Sequence, residues 1–430
     1  MIKKFDIKKN TWYTMVWGII FLLFTNVSFA QQNDSITLEQ CYKLAETNYP
    51  LSKQRGLIEK TKEYNIENIS KNIYPQLIVS GSATYQSDVT KISIPGYNIP
   101  TPSKDQYKLY GEVSQTITDF GVNKQQKEIS NTDAGLKQED LKTQLYAIKD
   151  RINQLFFGVI LINGQVEQNE LSKQDIQTGI NNVQARINNG TDFNSSLNKL
   201  KAQLLETDQQ TIELKASRKA YTDMLSLFIN LAIDDSTILV EPTVPILKDS
   251  IVRPELNTYD LQKTSYLQQQ RLTKLNLYPK LDAFFQGGIG KPSPLNLLAT
   301  DLSGYYITGI RLNWNFGALY TYKKDQLINN VSQEIVETQR STFLFNTQLT
   351  MKQQNADIAK YQQLIQSDND IIKLRQSVKQ TSAVQLANGV ITTNDYLDDI
   401  NDEAKARQNR LLHEIQLIIS QYDYKTTAGN

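Results

Sequence analysis

One cysteine and one histidine occur in 430 residues. That scarcity excludes a disulfide framework, a Cys/His zinc site or a His cluster within one chain, and most His- and Cys-based catalysis goes with them. Glycine and proline are sparse too, 19 and 11, which suits long polar helices better than a compact sandwich. Neither sign of charge dominates. Lys and Arg number 46 against 45 Asp and Glu, so there is no basic field for nucleic acid. Past residue 30 no run approaches the ~20 apolar residues of a membrane helix, which excludes a polytopic helical membrane protein.

What is present begins with an export signal. Lys3, Lys4, Lys8 and Lys9 stand against Asp6, Met15–Val27 is an apolar core, and Ser28-Phe29-Ala30 places small residues before Gln31. This is the three-part pattern of a cleaved secretory leader over residues 1–30. Its loss takes the net charge from +1 to −2. Cys41 lies too far beyond Ala30 for a lipidation site and reads as a small buried apolar residue.

The rest is a tandem duplication. Pro50 and Tyr74-Pro75 recur as Pro254 and Tyr278-Pro279, both at an offset of 204 residues. Asp119-Phe120-Gly121 recurs as Asn315-Phe316-Gly317, and Asn189-Gly190 as Asn388-Gly389. Four recurrences in one order point to two repeats, 31–245 and 246–430.

Each repeat reads as short helix, β-hairpin, long helix, turn, long helix. Thr37 with Gln40 three residues on forms a capping-box start, and Pro75 is expected to end that helix. Leu77, Val79, Ala83 and Tyr85 then alternate with Ser80, Ser82, Thr84 and Gln86. A period of two predicts strands at about 77–87 and 106–118, and at about 281–290 and 304–314 in the second repeat. From Leu141 to Ile187, fourteen positions stepping alternately by four and three include twelve apolar residues. This is a coiled-coil seam. Long helices are expected at about 122–188 and 194–230, and at about 318–387 and 394–424. At ~1.5 Å per residue the first spans roughly 100 Å, so it must be a rod.

Four amphipathic strands cannot close a barrel, and lipid tolerates only closed barrels or helices. A trimer would supply twelve strands and gather twelve long helical segments into a tube. The expected fold class is therefore α plus membrane β-barrel: a homotrimer forming a 12-stranded β-barrel joined to a periplasmic α-helical barrel.

With these landmarks in place, the chain resembles TolC-like outer-membrane efflux proteins over essentially all of its mature length. Thr37-Leu38-Glu39-Gln40-Cys41-Tyr42-Lys43-Leu44-Ala45 through Asn48-Tyr49-Pro50-Leu51 is similar to the family's first helix and its close. Arg253-Pro254-Glu255-Leu256 resembles the start of the second repeat, and Tyr-Pro and Phe-Gly bracket each hairpin. The resemblance implies a passive trimeric conduit through the outer membrane and periplasm, in an efflux or type I secretion system. Its implied partners are a periplasmic adaptor, an energising inner-membrane transporter and outer-membrane lipid, with no enzyme activity and no cofactor or metal. An exported periplasmic coiled-coil adaptor or scaffold is the alternative, but it leaves the hairpins unexplained.

Two sets of site residues follow. The tip turns Asn189, Gly190, Asn388 and Gly389 lie farthest from the hairpins, where the resemblance places adaptor docking. Asp395 and Asp398 align with aspartates that line the closed periplasmic aperture in relatives, and a spacing of three puts them on nearly one helical face. Threefold symmetry would gather six carboxylates into a cation-selective constriction. The plainer reading is that they complement the positive end of a helix. The chain departs from the family's best-described gate at Ile391, Leu386 and Ser196. That polar latch is expected to be missing, with closure resting on apolar packing and a different bond set.

Other features read as structural. Gly287-Gly288-Ile289-Gly290-Lys291 looks like a phosphate loop but is followed by Pro292, and reads as a strand end. His413 has no second ligand nearby in sequence. Tyr85, Tyr107, Tyr305 and Tyr306 are expected in an interfacial girdle.

Overall fold

The computed structural model describes residues 35–430, apart from 235, 297 and 298. The leader expected at 1–30 lies outside them. Thr37 caps α1 (Leu38–Asn48) as its sequence suggests: its hydroxyl accepts from the Gln40 N–H at 3.3 Å, and the Gln40 side chain accepts from the Thr37 N–H at 2.9 Å. The expectation that this helix runs on to Pro75 needs correcting. Pro50 has no N–H to continue the ladder, so α1 stops, Pro50–Lys53 make a 3₁₀ turn, and α2 (Gln54–Lys71) starts afresh. The second repeat lacks the α1 counterpart; Pro254 sits directly at the first turn of α6 (Pro254–Leu275).

Four strands form one antiparallel sheet in the order β2 (Gln76–Tyr85), β3 (Asp105–Thr118), β5 (Lys280–Lys291), β6 (Ser303–Asn313). The two hairpins thus meet along β3 and β5. β2 and β6 are left as open edges. A separate parallel pair, β1 (Ser35–Ile36) with β4 (Ile238–Leu239), ties the start of the described chain to the link between repeats. Two-residue strands carry too little pattern to be seen in a sequence.

The long helices are α3 (Val122–Tyr146), α4 (Ile148–Asn188), α5 (Asn194–Ile229), α7 (Ala318–Ala387) and α8 (Thr393–Ala428). The expected continuous helix over 122–188 is two segments divided at Ala147, whose backbone stays right-handed (φ −62°, ψ −17°). The division marks a change of neighbours: α3 packs on α2 and α6, whereas α4 packs on α5 and α8. Of the fourteen seam positions between Leu141 and Ile187, eleven are buried and three half-buried. α7 has 70 residues, roughly 105 Å of helix.

Contacts define a constant width. Beside the sheet the helices lie in the order α2, α3, α6, α7; toward the far end the order is α5, α4, α8, α7. Four helices stand abreast at either level. Between the levels lies the main core, where Phe156 and Phe157 are fully buried with Leu38, Cys41 and Ile229. Burial pushes the Cys41 thiol up to about 12, as expected of an inert buried residue. His413 Nδ1 meets the buried Asp368 at 2.6 Å and joins α8 to α7, a structural contact between neighbouring rods.

Candidate functional site: a two-faced sheet and a tied helical tip

The sheet is sorted by chemistry because its register aligns the alternation of every strand. Leu77 pairs with Val113 and Val113 with Phe285; Leu109 pairs with Ile289. These share a face with Val79, Ile310 and Leu312, and all of them are exposed, Leu77, Val79 and Ile310 to 69%. Among the described residues no helix packs on this apolar face. On the other face Glu112 takes a bidentate contact from Arg311 at 2.8 and 3.2 Å, and the guanidinium lies 4.4 Å from the Phe284 ring centre. Asp282 accepts from the Thr116 hydroxyl at 2.9 Å and from the Asn313 amide at 3.1 Å.

Tyr85, Tyr107 and Tyr306 are exposed on the apolar face, but Tyr305 is not with them. It is only 8% exposed and lies on the polar face. Successive strand residues point to opposite sides, so Tyr305 and Tyr306 cannot share a girdle. Tyr305 and Tyr110 flank Gly288 in one cross-strand row. A Cβ on Gly288 would sit 2.3 Å from the Leu109 carbonyl oxygen and 2.5 Å from the Tyr110 Cβ. Close strand approach, and no phosphate loop, explains the Gly-rich run.

At the other end, the two tip turns have one geometry. Gly190 and Gly389 adopt φ +73° and +72°, the left-handed region that favours glycine. Each donates back into its helix, Gly190 to Ile187 at 2.9 Å and Gly389 to Leu386 at 3.0 Å. Asn189 and Asn388 are the preceding C-caps, and all four residues are exposed.

The structure brings these turns together through residues that sequence reading missed. The Arg186 guanidinium donates to the Leu386 carbonyl at 2.6 Å and to the Thr191 carbonyl at 3.3 Å, with Asp192 at 3.5 Å. Lys199 donates to the Asn394 side chain at 3.0 Å. Farther up, Lys379 pairs with Asp175 at 2.7 Å and with Glu403 at 3.4 Å; Glu403, almost wholly buried, also meets Arg407. The Tyr396 hydroxyl donates to the Asp175 carbonyl at 3.3 Å. The Arg186–Leu386, Lys199–Asn394, Lys379–Asp175 and Tyr396–Asp175 bonds join α4 and α5 to α7 and α8 over separations near 200 residues. The Glu403–Arg407 spacing of four was readable in the sequence; the cross-repeat partners left no local signal.

Asp395 and Asp398 are both exposed on the first turns of α8. They are not equivalent. The Asp395 carboxylate accepts from the Thr392 hydroxyl at 2.7 Å and from the Thr392 N–H at 2.9 Å, closing a capping box. Those bonds, the hydroxyl first, hold its carboxyl below the usual range. Asp398 has no hydrogen bond or ion pair among the described residues. No cluster of three or more His, Cys, Asp or Glu side chains able to hold a metal occurs among the described residues.

Known structures provide the frame for this geometry. The chain superposes on VceC, an outer membrane protein of Vibrio cholerae, with a TM-score of 0.64 at 12% identity, covering 91% of this chain and 96% of that one. This is the fold of the outer-membrane channels. The CmeC outer membrane channel of Campylobacter jejuni gives a TM-score of 0.62 at 12% identity over 91% and 85% of the two chains. The open state of the MtrE outer membrane channel of Neisseria gonorrhoeae gives 0.63 at 12% over 91% and 89%. No protein-family model and no curated protein matches the sequence. The channel fold accounts for the pairing of a short sheet with rods several times its height.

Proposed function

We propose that this chain is the outer-membrane channel of a tripartite efflux or type I secretion system, a passive homotrimeric conduit from periplasm to exterior. The observation that carries the reading is the sheet: one face dominated by exposed apolar side chains, the other polar, and both edges unpaired among the described residues. Three copies joined β6 to β2 close twelve strands into a barrel with lipid outside and water inside. The helical edges support the same closure. α7 exposes Leu327, Val331, Phe345, Leu349, Leu374 and Val378, and the opposite edges expose Leu57 and Tyr64 on α2 and Leu205 and Ile212 on α5. Residues seven apart on an open edge form a seam for a neighbouring rod.

On this reading the sheet lies in the outer membrane, the rods cross the periplasm, and an inner-membrane transporter supplies the energy. Asn189, Gly190, Asn388 and Gly389 form the tips that meet a periplasmic adaptor, and Asp395 and Asp398 ring the closed aperture. Native mass spectrometry of detergent-extracted protein tests the assembly, with three chains expected and a stable conducting monomer ruling it out. Gly190→Pro and Gly389→Pro test the tips: efflux should vanish while trimers persist, and normal efflux in both would remove the docking assignment.

A further inference from the structure

The segment joining β2 to β3, residues 86–104, folds back over one face of the sheet at the end farther from the helices. Ser82, Thr84, Gln106 and Lys108 line a cavity of about 370 Å³, and Val89, Ile92, Pro100 and Pro102 of the segment roof it. Ser82 pairs with Lys108 and Thr84 with Gln106, so all four stand on the polar face. The start of the β5–β6 connection leans to the same side. Gly290 shares a row with Ser82, Lys108 and Ser303, and a Cβ on it would meet the Pro294 ring at 2.8 Å.

Both arms of the 86–104 segment pass over the cavity, and its tip lies between them. Pro95 and Gly96 turn the chain there. Proline fixes φ at the first central position, Gly96 takes φ +86°, and the Tyr97 N–H donates to the Ile94 carbonyl at 3.1 Å. The turn sets Ile94 beside Tyr97. Tyr97 is 77% exposed and Ile94 48%, so their own chain leaves the pair largely uncovered. Pro95, Pro100 and Pro102 each lock a backbone angle, which stiffens the arms that carry it.

Reach decides what covers the tip. On the channel reading, on which this placement rests, the polar face lines the lumen, and three tips project toward one axis. Twelve strands ~4.8 Å apart and tilted ~40° enclose a backbone radius of about 12 Å. The chain from Tyr85 to Ile94 spans up to ~30 Å when extended, so half its length still reaches the axis. Lipid lies on the opposite face of the sheet. We propose that Ile94 and Tyr97 of the three copies pack against one another around the threefold axis, an apolar collar that narrows the outer exit.

Disulfide trapping in the detergent-extracted full chain tests it. Cys41 is the single native cysteine and is fully buried, so an introduced thiol reports alone. Tyr97→Cys, and separately Ile94→Cys, should give covalent dimers on non-reducing gels after mild oxidation. The yield should approach about two thirds of the chains, since the third thiol on a threefold axis has no mate. A disulfide needs Cα atoms about 4.4–6.8 Å apart; tips standing on the barrel wall would be roughly 20 Å apart at that radius. Tyr306→Cys, at a site 69% exposed but on the apolar face, should give no dimer. Absence of dimers from both tip variants, with native mass spectrometry still showing three chains, would overturn the collar, as would an equal yield from Tyr306→Cys. Absence of the three-chain species itself would remove the channel reading and the collar with it.

Discussion

The Arg186 guanidinium donates to the Leu386 carbonyl at 2.6 Å, fixing the last turn of α4 to the last turn of α7 across 200 residues of sequence. Leu386 is fully buried, and its carbonyl belongs to a helix end whose oxygens have few intrahelical donors. The carbonyl also accepts from the Gly389 N–H at 3.0 Å, so the cation takes its remaining lone pair and answers the negative end of the helix.

Arg186→Ala should therefore loosen the closed tip. A hydrogen bond to a charged group contributes about 1.5–3 kcal/mol, which shifts a closed-to-open ratio by roughly tenfold to a hundredfold when it exists only in the closed state. Single-channel recordings should show longer and larger openings, and Lys379→Ala, which frees Asp175 and Glu403 together, should act in the same direction. Unchanged conductance in both would show that the bond set does not hold the tip.

The two aspartates of α8 should separate by experiment. Asp398→Ala is expected to lower cation preference and block by multivalent cations without altering stability, because the side chain has no partner to lose. Asp395→Ala should lower both selectivity and helix stability, since Thr392 loses its reciprocal bond. With its carboxyl held below the ordinary value, the Asp395 cap is intact above the unfolded pKa near ~3.9 and fades as pH falls through the lower folded value. Reversal potentials and thermal melts, measured on each single variant, distinguish the two.

Asp423, on α8 in the main helical region, should give an opposite pH response. Burial, with the nearby Asp150 charge adding to it, raises its carboxyl to about 6. The folded chain then binds a proton that the unfolded chain has released between the ordinary carboxylate value and about 6. This contribution to stability is largest below that window and is lost as pH rises through it. Asp423→Asn should raise the melting temperature by a few degrees at pH 8 and leave it nearly unchanged at pH 4. An equal shift at both pH values would exclude the carboxylate as the cause.

Gly288→Val should disrupt the sheet at its middle. The added Cβ meets backbone, the Leu109 oxygen at 2.3 Å, so no side-chain rotation relieves it and β3 must part from β5. Membrane insertion, read by loss of heat-modifiable migration on gels, is expected to fail. Gly287→Ala, whose Cβ meets only the Phe285 ring at 3.5 Å, should insert normally.

Local period was enough to reveal the parts. Alternation from Leu77 to Tyr85 reads as strand because successive side chains face opposite ways, and the four-three spacing from Leu141 to Ile187 reads as a seam because 3.5 residues return to one side of a helix. The turn glycines Gly190 and Gly389 were legible for the same reason: a reversal between rods needs a positive φ that few residues tolerate. Tertiary structure alone decided the rest. Pro50 broke the helix expected to run from Thr37 to Pro75, Tyr305 fell on the polar face once the register was set, and the rod at Ala147 changed partners. Arg186 with Leu386 and Lys379 with Asp175 left no trace in sequence, because long polar side chains on a helix surface look alike until two rods are laid side by side. Periodicity is a property of one element and survives in its sequence; a bond between elements depends on their relative rotation and height, which only the packed fold sets.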